Sequence, residues 1–231
     1  MVYSPKRERR QMVLYDGEEE IVEKVEKYFD GIVMDGLRSS ELLKKKRELF
    51  HFFTFLKLSE GDRMSSCESE LFLPDDGEGA DVELIGLEKR AIEITECLDD
   101  TDKRHMLFRE AVDSLFVGGK SNYTGGSLAD GLTESFGEVT AKKIKKIQRY
   151  KKEGFRTELL IVTDTAYDNC PITGTWVEKF LNESFVNSVS AAFDEVHVLV
   201  YHASGKDGGP VIRELPKDYR SFQALEKNWL S

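Results

Sequence analysis

Cysteine, histidine and proline are scarce in this 231-residue chain, which has 3, 4 and 5 of them. Cys67, Cys97 and Cys170 are odd in number and far apart, with no CxxC pair and no zinc-like Cys/His spacing. A disulfide scaffold is therefore not expected, and a reducing cytoplasm is the expected compartment. His51, His105, His197 and His202 form no HxH or HxxxH ligand pair. No apolar run approaches the roughly 18 residues of a membrane helix. The opening MVYSPKRERRQ is basic but has no apolar stretch behind it, so no secretory signal is expected. GxSxG is absent, and so are the phosphate-cradling GxxxxGK[ST] and a GxGxxG after a strand. The glycine-rich stretch 118–131 (GGKSNYTGGSLADG) thus reads as a surface loop rather than a nucleotide site. Excess positive charge is missing too: 33 Lys+Arg against 43 Asp+Glu leave −10, which argues against a surface coated for non-specific nucleic-acid binding.

What is present suffices for a globular core, with 40% apolar and 10% aromatic residues. The charge is unevenly laid out. Residues 60–100 hold 14 acids against 3 bases. In residues 138–156 the balance reverses: Lys142, Lys143, Lys145, Lys146, Arg149, Lys151, Lys152 and Arg156 face only Glu138 and Glu153. Such asymmetry is a better guide to partners than the total, although the plainer reading is two solvated faces of a soluble protein.

Helical spacing of Ile21, Val25, Tyr28 and Phe29 predicts a helix over 18–29. A second helix starts at Ser39 or Ser40, and its run Phe50, Phe52, Phe53, Phe55, Leu56 is too apolar for an exposed face. From residue 70 the period changes to two. Short alternating runs at 71–73, 81–87 and 90–96, separated by turn residues, predict a β-meander. Helices are predicted over 102–116 and 133–152, a buried central strand over 158–163 (ELLIVT), a helix over 176–193, and strands over 195–202 and 211–215. Trp176, Tyr201 and Trp229 read as core or interface aromatics. The expectation is a single domain over 1–231: a helical N-terminal segment, 1–58, and an α/β core, 68–231, with helices on both faces of a mixed sheet.

One pair of acids stands out. Asp81 opens a strand, and Glu93 lies in the next between Ile92 and Ile94. Alternation puts Glu93 and Thr95 on one face and the isoleucines on the other. An acid in mid-strand of an α/β sheet is costly unless compensated. Two adjacent carboxylates suit a hard divalent cation such as Mg²⁺ or Mn²⁺. The plainer alternative is an edge-facing Glu93 paired with Lys89 or Arg90. On the helix over 140–152, with Ile144 at zero, Lys143 falls at about 260°, inside the apolar arc, and Lys146 at about 200°, on its border. Lys142, Lys145 and Arg149 fall on the opposite side. An inward lysine needs a negative partner, which the carboxylates would provide, unless its stem merely snorkels to water.

The stretch PDDGEGADVELIGLEKRAIEITE resembles the metal-binding hairpin of the PD-(D/E)xK nuclease superfamily, the restriction-endonuclease-like fold. In that family an Asp begins one strand and Glu-x-Lys lies in the next. Asp81 and Glu93 match the acids. Thr95 stands at the lysine position, so Ile92-Glu93-Ile94-Thr95-Glu96 departs from the pattern. The resemblance implies a three-layer αβα core. It also implies a Mg²⁺ or Mn²⁺ held by Asp81, Glu93 and the Ile94 carbonyl, and a lysine supplied from a helix, Lys143 or Lys146. An acid from the early helix often completes such sites, which makes Glu41 and Glu48 candidates. Asp164, at the end of ELLIVT, is a weaker one. Lys142, Lys145, Arg149 and Lys152, with Lys6–Arg10, would contact DNA phosphates. A homodimer is implied by resemblance alone. The implied activity is metal-dependent hydrolysis of DNA phosphodiester bonds. The rival from another class is a catalytically inactive binding or regulatory module, which Thr95 favours.

Overall fold

The computed structural model describes residues 10–13, 21–30, 39–59, 68–74, 79–96, 140–164, 182–201 and 210–229. Seven strands form one sheet in sequential order: β1 (Arg10–Val13), β2 (Glu68–Phe72), β3 (Val82–Ile85), β4 (Lys89–Glu96), β5 (Arg156–Asp164), β6 (Glu195–Tyr201) and β7 (Val211–Glu214). β1 to β4 pair antiparallel, β4–β5–β6 are parallel, and β7 returns antiparallel to β6. The helices are α1 (Ile21–Phe29), α2 (Ser39–Ser59), α3 (residues 140–152), α4 (Glu183–Ala192) and α5 (Tyr219–Trp229). This is a mixed α/β fold built on an open, mixed sheet.

The parallel centre is apolar on both sides, as strands covered by helices must be. Leu159, Leu160, Ile161 and Val162 of β5 are all buried, and they divide alternately between two cores. On one face α1 and α2 bring Val25, Tyr28, Leu49, Phe52 and Phe55 onto Val82, Leu84, Ile92, Ile94 and Leu160. On the other, α3, α4 and α5 bring Ile147, Tyr150, Val186, Val189 and Phe222 onto Ala91, Leu159, Ile161 and Val198. Helices thus cover both faces, and the aromatic run of α2 does pack on the sheet.

The end of α3 is fixed by a Schellman turn. Gly154 adopts φ 77°, the left-handed conformation glycine reaches without penalty. The Gly154 amide donates to the Lys151 carbonyl at 3.2 Å, and the Phe155 amide to the Tyr150 carbonyl at 3.0 Å. The apolar contact that accompanies such turns is Phe155 edge-on to Tyr150, ring centroids 5.2 Å apart. Lys143 lies seven residues, about two turns, before Tyr150, so this stop also sets where Lys143 points.

Three differences from the sequence expectations stand out. β1 adds a strand from the N-terminal segment, which is therefore not purely helical, and α5 was not anticipated. The helix expected over 176–193 is not continuous through Asn182: a helix starts at Glu183, and residues 176–181 lie outside the described residues. Asn182 is extended (φ −69°, ψ 166°), and its side-chain oxygen accepts from the Phe185 amide at 3.0 Å, a stop that hydrophobic periodicity alone does not reveal. The helix expected over 102–116, the loop 118–131, Lys6–Arg9, Trp176 and all three cysteines lie outside the described residues.

Candidate functional site

The β3–β4 hairpin sets the site by register. Val82 pairs with Ile92 and Glu83 with Ala91, so one further step places Asp81 opposite Glu93. Ala91 belongs to the α3-side core and Ile92 to the α2-side core. Alternation therefore turns Asp81, Glu83, Glu93 and Thr95 towards α3.

From α3 the Lys143 ammonium reaches down between the two acids. It donates to Asp81 Oδ2, and to Glu93 Oε2 at 2.7 Å. Asp81 Oδ2 also accepts the Ile94 amide at 2.7 Å. Two acceptors on one ammonium lie no farther apart than two hydrogen-bond lengths, about 5.6 Å. Asp81, Glu93 and Lys143 are all buried, Glu93 at 0% exposure. Burial opposes charge on Asp81, but Lys143 and the Ile94 amide outweigh it and hold the carboxyl below its ordinary range. Glu93 is pushed up to about 7, by burial and then by the charge of Asp81, against the pull of Lys143. Burial works against the Lys143 charge as well, yet the two carboxylates raise its pKa further than burial lowers it.

Glu48 approaches from α2. It is 3% exposed, and its carboxyl is raised first by burial and then by the charge of Asp81. Lys44 and Lys45 lie 3.3 and 3.6 Å from its oxygens, and the Lys45 ammonium donates to the Pro74 carbonyl at 2.8 Å.

The hydrogen-bond inventory is uneven here. Among the described residues, five buried side-chain polar atoms lack a hydrogen-bond partner: Glu48 Oε2, Glu93 Oε1, Thr95 Oγ1, Thr140 Oγ1 and Arg213 Nε. Glu93 belongs to the carboxylate pair, Thr95 follows it on the same face of β4, Thr140 is one helical turn from Lys143, and Glu48 lies on α2 beside Lys45. Arg213, on β7, is elsewhere. Buried polar groups are normally satisfied, so the unbonded Glu93 oxygen and threonine hydroxyls on the α3 side of the sheet suit a ligand with cationic and acceptor capacity.

Tyr150 braces the arrangement from behind. Its hydroxyl donates to Glu83 and accepts the Ala80 amide at 2.9 Å, next to Asp81. Burial, with the Glu83 hydrogen bond, pushes the phenol up to about 12, so it remains a donor.

Of the residues expected from sequence, Asp81, Glu93 and Lys143 come together, with Thr95 on the same face and Glu48 within reach of the Asp81 charge. Ile94 contributes its amide, to Asp81. Lys146 is half-buried and bonds neither acid, although its charge bears on Glu93. Lys142, Lys145, Arg149 and Lys152 are exposed on the outer side of α3. The side chains of Glu41, Asp164 and Arg10 lie outside the described residues. Arg90 does not neutralise Glu93. It forms a two-pronged pair with Glu158, at 2.7 and 2.9 Å.

That pair belongs to a second cluster. Ligand atoms of Glu158, Glu195 and His197 all lie within 4.8 Å of one another, the one such triad among the described residues, and Glu48, Asp81 and Glu93 are spread more widely. Arg90 holds Glu158, while Arg156 lies 3.6 Å from Glu158 and 2.5 Å from Glu195. His197 stacks on Phe55, centroids 4.9 Å apart. Two guanidiniums already balance the two carboxylates, so this cluster reads as an internal ion-pair network. Sequence reasoning passed over Glu158, whose signal was an acid directly before four buried apolar residues. It also passed over Thr140, which falls at about 320° on the α3 wheel, in the arc of Ile147 and Lys143.

Compared with protein-family models, curated proteins and solved structures, the chain matches none. No helix among the described residues is long and apolar enough to cross a membrane.

Proposed function

We propose that the chain is a divalent-cation-dependent phosphodiesterase of nuclease type, on a restriction-endonuclease-like core, acting on DNA. The observation that carries this reading is the convergence of Asp81 and Glu93 on one lysine, with Glu93 Oε1 buried and without a hydrogen-bond partner and the buried Glu48 carboxyl near enough to feel the charge of Asp81. Oxygen-only donors of this kind fit Mg²⁺ or Mn²⁺. Asp81, Glu93 and Glu48 would hold the ion, with the Ile94 carbonyl as a further ligand by resemblance. When bound, it supplies Lewis-acid stabilisation of charge on a phosphoryl oxygen. Lys143 then keeps a fixed positive charge beside the reacting phosphate, in a site dry enough for that charge to count. It fills the role of the family lysine from α3 and leaves Thr95 at the strand position. The exposed Lys142, Lys145, Arg149 and Lys152 offer a basic strip for backbone phosphates, which positions a nucleic acid without reading its sequence.

The rival reading is a catalytically silent module of the same fold. It draws support from the ammonium itself, which already neutralises the carboxylate pair. Calorimetric titration with Mg²⁺ and Mn²⁺, paired with nicking of supercoiled DNA, separates the two. Ion binding and nicking that both disappear in Asp81→Ala and Glu93→Ala support the enzyme. No binding at millimolar ion leaves the module.

A further inference from the structure

Thr95 and Thr140 are each 2% exposed, and neither hydroxyl has a hydrogen-bond partner. Valine has the same shape and would escape the cost of a buried, unbonded hydroxyl, so neither side chain is explained by packing. Their placement is ordered. Tyr150 bonds Ala80 and Glu83, and Glu83 pairs with Ala91. Seven residues back along α3, Lys143 bonds Asp81 and Glu93. Moving towards the start of α3 is thus moving towards the end of β4. The next turn back is Thr140, and the next inward residue on β4 is Thr95. Helical spacing and strand alternation thus put both residues on the side of the Lys143–Glu93 bond away from Tyr150.

We propose that the Thr95 and Thr140 hydroxyls form the anion-binding side of this site and donate hydrogen bonds to a phosphoryl oxygen of the ligand. The inference rests on the cation-assisted phosphodiester reading above and assigns the residues that grip the phosphate. Carboxylates and phosphoryl oxygens are both acceptors only, so a site lined by Glu48, Asp81 and Glu93 needs other groups to donate. Lys143 has two of its three protons committed to Asp81 and Glu93. Besides the third Lys143 proton, the two threonine hydroxyls are uncommitted donors among the described residues of this face. Thr95, at the position where the family carries lysine, then serves as a neutral donor, and the charge comes from α3.

The test uses the full-length chain and two probes by calorimetry: Mg²⁺ alone, then inorganic phosphate in saturating Mg²⁺. The wild type is expected to bind both. The double variant Thr95→Val, Thr140→Val should keep its Mg²⁺ affinity within about twofold, lose phosphate affinity tenfold or more, and melt no lower than wild type. Thr95→Ser with Thr140→Ser should restore phosphate binding. Should the double valine variant not fold, each single valine variant carries the same comparison. Phosphate binding unchanged in the valine variants overturns the proposal. So does joint loss of Mg²⁺ and phosphate, which would make the hydroxyls cation ligands, and so does a Mg²⁺-loaded wild type that takes no phosphate. A wild type that binds no Mg²⁺ overturns the parent reading instead, and this one with it.

Discussion

Replacing Lys143 with methionine keeps the length and most of the apolar stem but removes the charge that joins Asp81 to Glu93. Lys143 is 9% exposed and bonds both acids, so the loss leaves two buried carboxylates facing each other. At about 5 Å and an effective dielectric near 20, their repulsion is about 3 kcal/mol. Removal of one partner from a buried ion pair costs about 3–5 kcal/mol by experience, in the same range. Glu93 limits the penalty by taking up a proton, since its pKa is already about 7 and rises further without Lys143. The cost is therefore expected to be about 3 kcal/mol at pH 8 and about half that at pH 5.5. In a chain of this length 3 kcal/mol lowers the melting temperature by about 6–12 °C. The assay is thermal and urea unfolding of Lys143→Met at both pH values, with the exposed Lys57→Met as control. A divalent cation should replace the missing charge: at 100 times its Kd it returns about 2.7 kcal/mol. A variant as stable as wild type at pH 8 would refute the claim that this ammonium compensates the buried acids. An equal loss at both pH values would refute the protonation of Glu93.

Three further outcomes follow from the same geometry. With Glu93 raised from 4.5 to about 7, the folded state binds the extra proton between those values, so this group makes the metal-free protein less stable as pH rises through that window. A cation needs the deprotonated carboxylate, so its affinity should climb up to about pH 7 and level off above, with a proton released per ion at pH 6; calorimetry in two buffers of different ionisation heat reads this directly, and a pH-independent affinity would contradict it. Tyr150→Phe strands the Ala80 amide and a Glu83 oxygen and should cost about 1–3 kcal/mol in urea unfolding, with an unaltered stability showing that the hydroxyl braces nothing. Glu158→Gln breaks the Arg90–Glu158–Arg156 network and should cost about 3–5 kcal/mol while leaving Mg²⁺ affinity untouched, so a fall in that affinity would tie the second cluster to ion binding.

Period-two patterning and turn residues were enough to locate β2, β3 and β4, and with them the chance that Asp81 and Glu93 face each other. The helical wheel separated Lys143, under α3, from Lys142, Lys145 and Arg149 on its outside, because period 3.6 is written in the apolar residues around them. Other features left no local trace. β1 is only four residues long, and a strand that short is defined by the neighbour it pairs with. Glu41 and Glu48 sit seven residues apart on one helix, and nothing local distinguishes them; the approach of α2 to the start of β3 brought Glu48 within the charge of Asp81. The choice of Lys143 over Lys146 as the residue that bonds the acids likewise depends on where α3 is stopped at Gly154 and how it lies on the sheet.

The sequence by itself determined which side chains share a face, since that is fixed by the pitch of helix and strand within a few residues. Only the tertiary structure decided which faces meet, because that depends on burying apolar surface across 50 or more intervening residues, as between Glu93 and Lys143. It also revealed that Glu48 Oε2, Glu93 Oε1, Thr95 Oγ1 and Thr140 Oγ1 are left without hydrogen-bond partners, a property of the assembled packing that no short stretch of chain contains.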